Sequence, residues 1–275
     1  MGRAGPLRSL AALLLLLASG CTPSPRKAVE TPVLRVCFDP NNMPFSNRAA
    51  QGFENHLARL IAHDLGVRLE PVWRAQRRGN LRETLNAGLC DLVPGVGSTL
   101  ETVATSAPYY RSTYVVVTRA GSPLASLRSF DDARLRTLRI GVQLIGDDGV
   151  NTPPAHALMR RHIVGNVRGF MVQGDYRRAF PQDAILDALT SGKLDVAYVW
   201  GPVAGYYKLR HPNKVAIAPV SPPFDGAQLP MVYDISVGVR KQDAALLRRV
   251  DAVLQKRRAE IEHMLQRFGV PLVGA

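Results

Sequence analysis

Several polar clusters hold the side chains that can grip a ligand or a partner. Asp39, Asn41 and Asn42 sit together directly after a short apolar run, and Arg77 and Arg78 form a basic pair. Gly97 and Ser98 offer backbone amides and a hydroxyl, and Tyr109, Tyr110 and Arg111 join two aromatic rings to a cation. Gln143, Asp147, Asp148 and Asn151 share one loop, and Trp200 closes a later apolar run. The arginines can clamp an anion in bidentate fashion, or simply face solvent. The aromatic residues can face a cleft or pack within it. These groups do not make a reaction centre: the chain has no Ser-His-Asp signature and no Gly-x-Ser-x-Gly elbow. His56 and His63 lie seven positions apart on one predicted helix, too far for a metal-ligand pair. Asp147-Asp148-x-x-Asn151 carries oxygen donors without the spacing of a calcium loop. The chemistry on offer is binding, with no metal and no cofactor expected.

The elements that must position these residues are legible from periodicity. Val33–Phe38 is a short apolar run fit for a buried parallel strand. Phe53, Leu57, Leu60, Ile61 and Leu65 repeat at helical spacing, and Gly66 stops that helix. Val67–Trp73 and Cys90–Gly95 predict two more strands, and Asn80 with Glu83 predicts a capping box opening the helix between them. This β-α-β-α-β order implies parallel pairing, with ligands gathered beyond the carboxyl ends of the strands. The plan recurs at Thr137–Val142, at a helix opening with Thr152, Pro153 and Pro154, at Val167–Val172, at a helix over Pro181–Ser191, and at Lys193–Trp200. Leu85-Asn86-Ala87-Gly88-Leu89-Cys90-Asp91 and Leu189-Thr190-Ser191-Gly192-Lys193-Leu194-Asp195 match at an offset of 104 positions. Pro108–Thr118 predicts a strand that leaves the first unit, and Ile235–Arg240 its return partner, which together make a two-stranded hinge over a cleft. From Lys241 onward one long amphipathic helix is expected, with Lys256, Arg257 and Arg258 on its solvated face.

Arg3 and Arg8 precede the apolar run Leu10–Leu17, which has the shape of a signal-peptide core and is too short to span a bilayer. Ala18-Ser19-Gly20-Cys21 resembles a bacterial lipobox, which would lipidate Cys21 and tether the protein to a membrane; ordinary cleavage is the alternative. Export leaves Cys37 and Cys90 in an oxidising compartment, where they make one disulfide or remain buried thiols. At 275 residues and 46% apolar content the chain can bury one or two full cores. Its net charge of +13 would ordinarily point to nucleic acid, which export argues against. An anionic membrane surface, an acidic protein partner or a merely solvated surface remain.

The first strand ending in Asp39, the Gly52-Phe53-Glu54 helix start, the two Gly-x-x-Asp strand starts and Pro108-Tyr109-Tyr110 resemble the two-lobed periplasmic solute-binding proteins of ABC transporters. That resemblance implies an α/β type II binding-protein fold, each lobe a mostly parallel sheet flanked by helices. Residues 33–113 and 237–275 would form the first lobe and 114–236 the second, after a signal peptide and linker over 1–32. In amino-acid binders of this class an arginine before Pro-Tyr-Tyr grips the ligand carboxylate; here Ser98–Val103 contains none. Asp147 and Asp148 in the second-lobe loop would repel an anion at the following helix start. The segments Asp39–Asn47, Gln76–Gly79, Leu85–Asp91, Tyr109–Val115, Gly141–Gly149 and Val199–Pro202 are similar to a narrower group, the binding-protein relatives of quinoprotein alcohol dehydrogenases, the MxaJ/XoxJ type. This implies a non-catalytic periplasmic accessory protein whose partner is a PQQ-dependent methanol or alcohol dehydrogenase, assisting its maturation or activation without itself holding the quinone or a metal. The alternative is a transporter-linked receptor for a small solute other than an ordinary amino acid.

Overall fold

The computed structural model describes residues 1–2, 32–145 and 151–274, so Cys21, Asp147 and Asp148 lie outside the described residues. Pro32–Ala275 form one unit, separate from Met1–Thr31. The unit opens with β1 (Val33–Phe38), a small hairpin of β2 (Asn41–Asn42) and β3 (Ser46–Asn47), α1 (Phe53–Leu65), β4 (Arg68–Trp73), α2 (Asn80–Glu83), β5 (Leu92–Gly97) and β6 (Ala104–Thr105). β7 (Tyr110–Arg119) then leads to β8 (Ile140–Leu144), α3 (Pro153–Arg160), β9 (Val167–Met171), α4 (Ala184–Thr190), β10 (Val196–Trp200), α5 (Gly201–Arg210) and β11 (Val215–Pro219). β12 (Val232–Val239), α6 (Ala244–Lys256) and α7 (Arg258–Arg267) complete it.

The hydrogen-bonded path runs β4-β1-β5-β12-β7-β10-β8-β9. In each half three strands are parallel, β4-β1-β5 and β10-β8-β9. β7 belongs to both halves: Tyr110–Thr113 pair antiparallel with Ile235–Val232, and the stretch from Tyr114 onward pairs with β10 and β11. The ladder is therefore continuous, and the two lobes meet where β7 changes partners. From Val232 onward β12 lies beside β7 and then β5. Each half has its own core, one around Val36, Phe53, Leu57 and Ile61, the other around Val115, Ile185, Leu189 and Val199.

The internal repeat extends to its polar contacts. Gly88 and Gly192 both adopt the left-handed conformation that favours glycine, with φ of 75° and 78°. Asp91 accepts the N–H of Arg35 at 3.0 Å and its guanidinium at 2.7 and 3.1 Å. Asp195 accepts the N–H of Arg139 at 2.9 Å and its guanidinium at 2.6 and 2.9 Å. The same carboxylate thus pins the start of the first strand of each half. Cys37 in β1 is joined by a disulfide to Cys90, with Cα atoms 5.6 Å apart, beside the β1–β5 pairing.

Three local expectations are corrected. α2 has four residues and no capping box: Asn80 turns its amide back to the Ala75 carbonyl at 2.9 Å. The Thr84 hydroxyl bonds the Asn80 carbonyl at 2.7 Å, an alternative to the next helical turn. Thr152 precedes α3 without capping it, because its hydroxyl donates to the Gln143 carbonyl at 2.6 Å. The C-terminal stretch is two helices broken at Arg257, which is half-exposed and ion-paired: Asp64 at the end of α1 accepts its Nε at 2.9 Å and a terminal nitrogen at 2.7 Å. Lys256 Nζ lies 3.1 Å from the same carboxylate. The break lets Ile261 and Leu265 reach the core that Val250 and Leu254 also enter.

Candidate functional site

The carboxyl ends of β1 and β4 face the segment between β9 and α4, and side chains from the two rims bond directly. Asp39, which follows β1, is fully buried. Its Oδ1 accepts the Asn41 N–H at 2.9 Å and its Oδ2 the Gln76 N–H at 2.8 Å. The same Oδ2 accepts the hydroxyl of Tyr176 from the opposite lobe. The Asn41 amide donates to the carbonyls of Tyr176 at 3.1 Å and Arg178 at 2.9 Å. Asn42 accepts from Gln182 at 2.8 Å, and Gln173 donates to the Gln76 carbonyl at 3.3 Å. These five hydrogen bonds cross between the lobes among the described residues. The Tyr176 hydroxyl proton is held well above the usual phenol range, first by burial and then by its bond to Asp39.

This seam continues into the second lobe. Gln143, buried at the end of β8, donates to Gln182 at 3.1 Å and accepts the Trp200 N–H at 2.8 Å. The Trp200 ring meets Tyr114 and Tyr233 edge to face, with centroids 5.1 and 6.0 Å away, at the place where β7 changes lobes. Asp39, Asn41, Asn42 and Gln143 therefore come together with Trp200, and Arg77 adds a guanidinium 6.0 Å from the Tyr176 ring. Arg78 is exposed on the same turn.

The other expected residues lie elsewhere. Ser98 shares a 2.6 Å hydrogen bond with Ser236 and follows Gly97 on the β5–β12 side of the sheet. Arg111 stands 3.7 Å from Asp234 and lines a cavity of about 680 Å³ against α6 and α7. Tyr110 packs edge-on against Phe53 in the first core. The Asn151 N–H bonds His156 at 3.3 Å. Tyr176, Gln173 and Gln182 carry the seam and were not among the expected residues; the aromatic, polar stretch between strand and helix was their only signal.

Beside Asp39 lies a second unexpected group. Glu54, in the first turn of α1, is 98% buried, and its Oε2 has no hydrogen-bond partner. Burial, and then the charge of Asp39, push its carboxyl up to about 8. The carboxylate occupies the space that a Cβ on Gly95 would need, and Gly95 has φ of 75°. The Tyr109 hydroxyl is also buried without a partner, and burial followed by the charges of Tyr110 and Glu54 raises its proton affinity strongly. Both Asp39 oxygens, the Asn41 amide nitrogen and the Asn42 amide oxygen are engaged by the chain's own donors and carbonyls, so the arrangement is a latch between lobes.

The sequence profile of the bacterial extracellular solute-binding proteins, family 3, matches residues 34–270. Protein MoxJ of Methylorubrum extorquens is 30% identical over 284 residues, covering 96% of this chain and 94% of that protein. Protein MoxJ of Paracoccus denitrificans is 29% identical over 262 residues, covering 89% and 90%. Among solved structures, the periplasmic binding protein XoxJ from Methylobacterium extorquens AM1 superposes with a TM-score of 0.71 at 34% identity, covering 88% of this chain and all of that one. MxaJ from Methlophaga aminisulfidivorans MPT gives 0.72 at 26% identity, covering 87% and 100%.

Proposed function

The chain belongs to the bacterial extracellular solute-binding proteins of family 3, in the group of MoxJ, XoxJ and MxaJ, and from that premise we propose that it is a non-catalytic periplasmic accessory protein of a quinoprotein methanol or alcohol dehydrogenase. It binds the dehydrogenase and assists its maturation or activation, and a lipid on Cys21 holds it at the membrane. Its lobes comprise residues 33–113 with 237–275, and 114–236, meeting at the Asp39–Tyr176 latch.

The observation that carries this reading is the latch. A solute receptor keeps polar groups on both rims available for its ligand. Here Asp39 accepts the Tyr176 hydroxyl, Asn41 donates to the Tyr176 and Arg178 carbonyls, and Asn42 accepts from Gln182 across the seam. Membership of a solute-binding family favours a second reading, a solute receptor whose latch opens for its ligand.

Affinity purification of the tagged protein from periplasm tests both. A co-purifying quinoprotein dehydrogenase, with dehydrogenase activity that falls in a deletion strain, is expected. A bound metabolite with no dehydrogenase partner would replace this reading with the second. Lipid labelling that persists in Cys21→Ser would remove the anchor.

A further inference from the structure

α1 and α7 leave a groove of about 560 Å³ between them. Leu60, Met264 and Phe268 form its floor, each only partly buried against the core. Phe268 is fixed in place by edge contact with Phe53 and stacking on Tyr206. The rim is basic. Arg59 is held by the Ala50 carbonyl at 3.0 Å and the His56 ring at 2.9 Å, and the exposed Arg267 stands across the groove with His263. Glu260 is the single carboxylate lining the groove, and it lies 3.2 Å from Arg257.

We propose that this groove docks an acidic segment of a protein partner, with an apolar side chain seated on Leu60, Met264 and Phe268 and carboxylates set against Arg59 and Arg267. The proposal rests on the reading that the chain acts on a protein. Charge complementarity carries it: the chain has net charge +13, which steers acidic partners toward it, and the groove presents two arginines against one acid, which lies 3.2 Å from Arg257. The recessed floor separates this from membrane binding, since a flat anionic surface meets the rim and leaves the floor empty. A second copy would bring the same arginines to the contact and be repelled. An amphipathic segment matches both features, as in helix-in-groove recognition.

The test uses fluorescence anisotropy with a labelled glutamate-rich peptide carrying two leucines at helical spacing. Saturable binding is expected, weakened about tenfold or more in Arg59→Glu/Arg267→Glu and by added salt. Met264→Glu removes the apolar seat and should weaken binding comparably; melting curves confirm that both variants fold. Arg136→Glu, at an exposed arginine between β7 and β8 that does not line the groove, should leave binding unchanged. No saturable binding, or equal binding by the charge-reversed variant, overturns the proposal. So does recovery on anionic vesicles that depends on Arg59 and Arg267, or a wild-type dimer in sedimentation that the double variant abolishes. Equal dehydrogenase recovery with wild type and charge-reversed variant would sink the groove and leave the functional reading standing. Retained peptide binding with no dehydrogenase recovered would do the reverse.

Discussion

Glu54 makes the protein's stability fall as pH rises. Its carboxyl titrates near 8 when folded, against an ordinary value of 4.5. Below about 4.5 the group is protonated in both states and has no effect. Between the two values the unfolded chain releases its proton while the folded chain keeps it, so unfolding gains on folding. The loss accrues at about 1.4 kcal/mol per pH unit and saturates above pH 8 at roughly 5 kcal/mol. Glu54→Gln preserves shape and removes the titration. Denaturant unfolding of both proteins at pH 5, 6, 7 and 8 reads the effect, and the gap should shift toward the variant by at least about 2 kcal/mol between pH 5 and 8. Asp39→Asn should flatten the wild-type dependence, since the Asp39 charge is the second cause of the shift. Parallel curves for wild type and Glu54→Gln would refute the reasoning.

Tyr176→Phe removes one latch bond and should reduce stability by about 1 kcal/mol, while amide exchange over residues 173–183 speeds up; unchanged exchange there would show that the bond holds nothing. Reducing Cys37–Cys90, or replacing both with serine, frees a loop of sequence separation 53 and should cost about 4 kcal/mol in the chain-entropy account, read as a lowered denaturation midpoint. Asp91→Asn leaves Arg35 without its carboxylate and the mostly buried Arg240 with Asp243 as its remaining acid, and should cost roughly 1–3 kcal/mol, whereas Arg68→Ala, an exposed pair with Glu70, should change stability by less than about 1 kcal/mol.

The repeated plan was legible because it rests on residue types with few substitutes. A left-handed turn favours glycine, and a carboxylate immediately before each strand holds the neighbouring strand's arginine, so Gly88 with Asp91 and Gly192 with Asp195 announce themselves. The crossing strand was legible from its β-branched run. The latch was not, since Asn41 and Tyr176 are separated by 135 positions and no periodicity links them. Glu54 reads as a favourable acid in a helix first turn; its burial follows from Gly95 and Asp39, both distant in sequence. The break at Arg257 has neither glycine nor proline to mark it, and its cause, Asp64, lies 193 positions away.

The latch bears most directly on what the cleft can hold. A solute entering between the rims must first part five hydrogen bonds contributed by Asn41, Asn42, Tyr176 and Gln173 with their partners. Each contributes about 0.5–1.5 kcal/mol net, so opening opposes binding by roughly 2–8 kcal/mol. At about 1.4 kcal/mol per decade, that lowers apparent affinity by roughly one and a half to five decades against a receptor resting open. A small solute offering a few contacts does not recover this, whereas a protein segment burying a standard interface can. A partner that meets the outer face leaves the latch intact and avoids the opposition altogether. Cutting the latch with Asn41→Ala and Tyr176→Phe together should therefore leave dehydrogenase recovery unchanged if docking is external. If recovery instead rises sharply, the cleft itself is the docking site, and the groove between α1 and α7 is not.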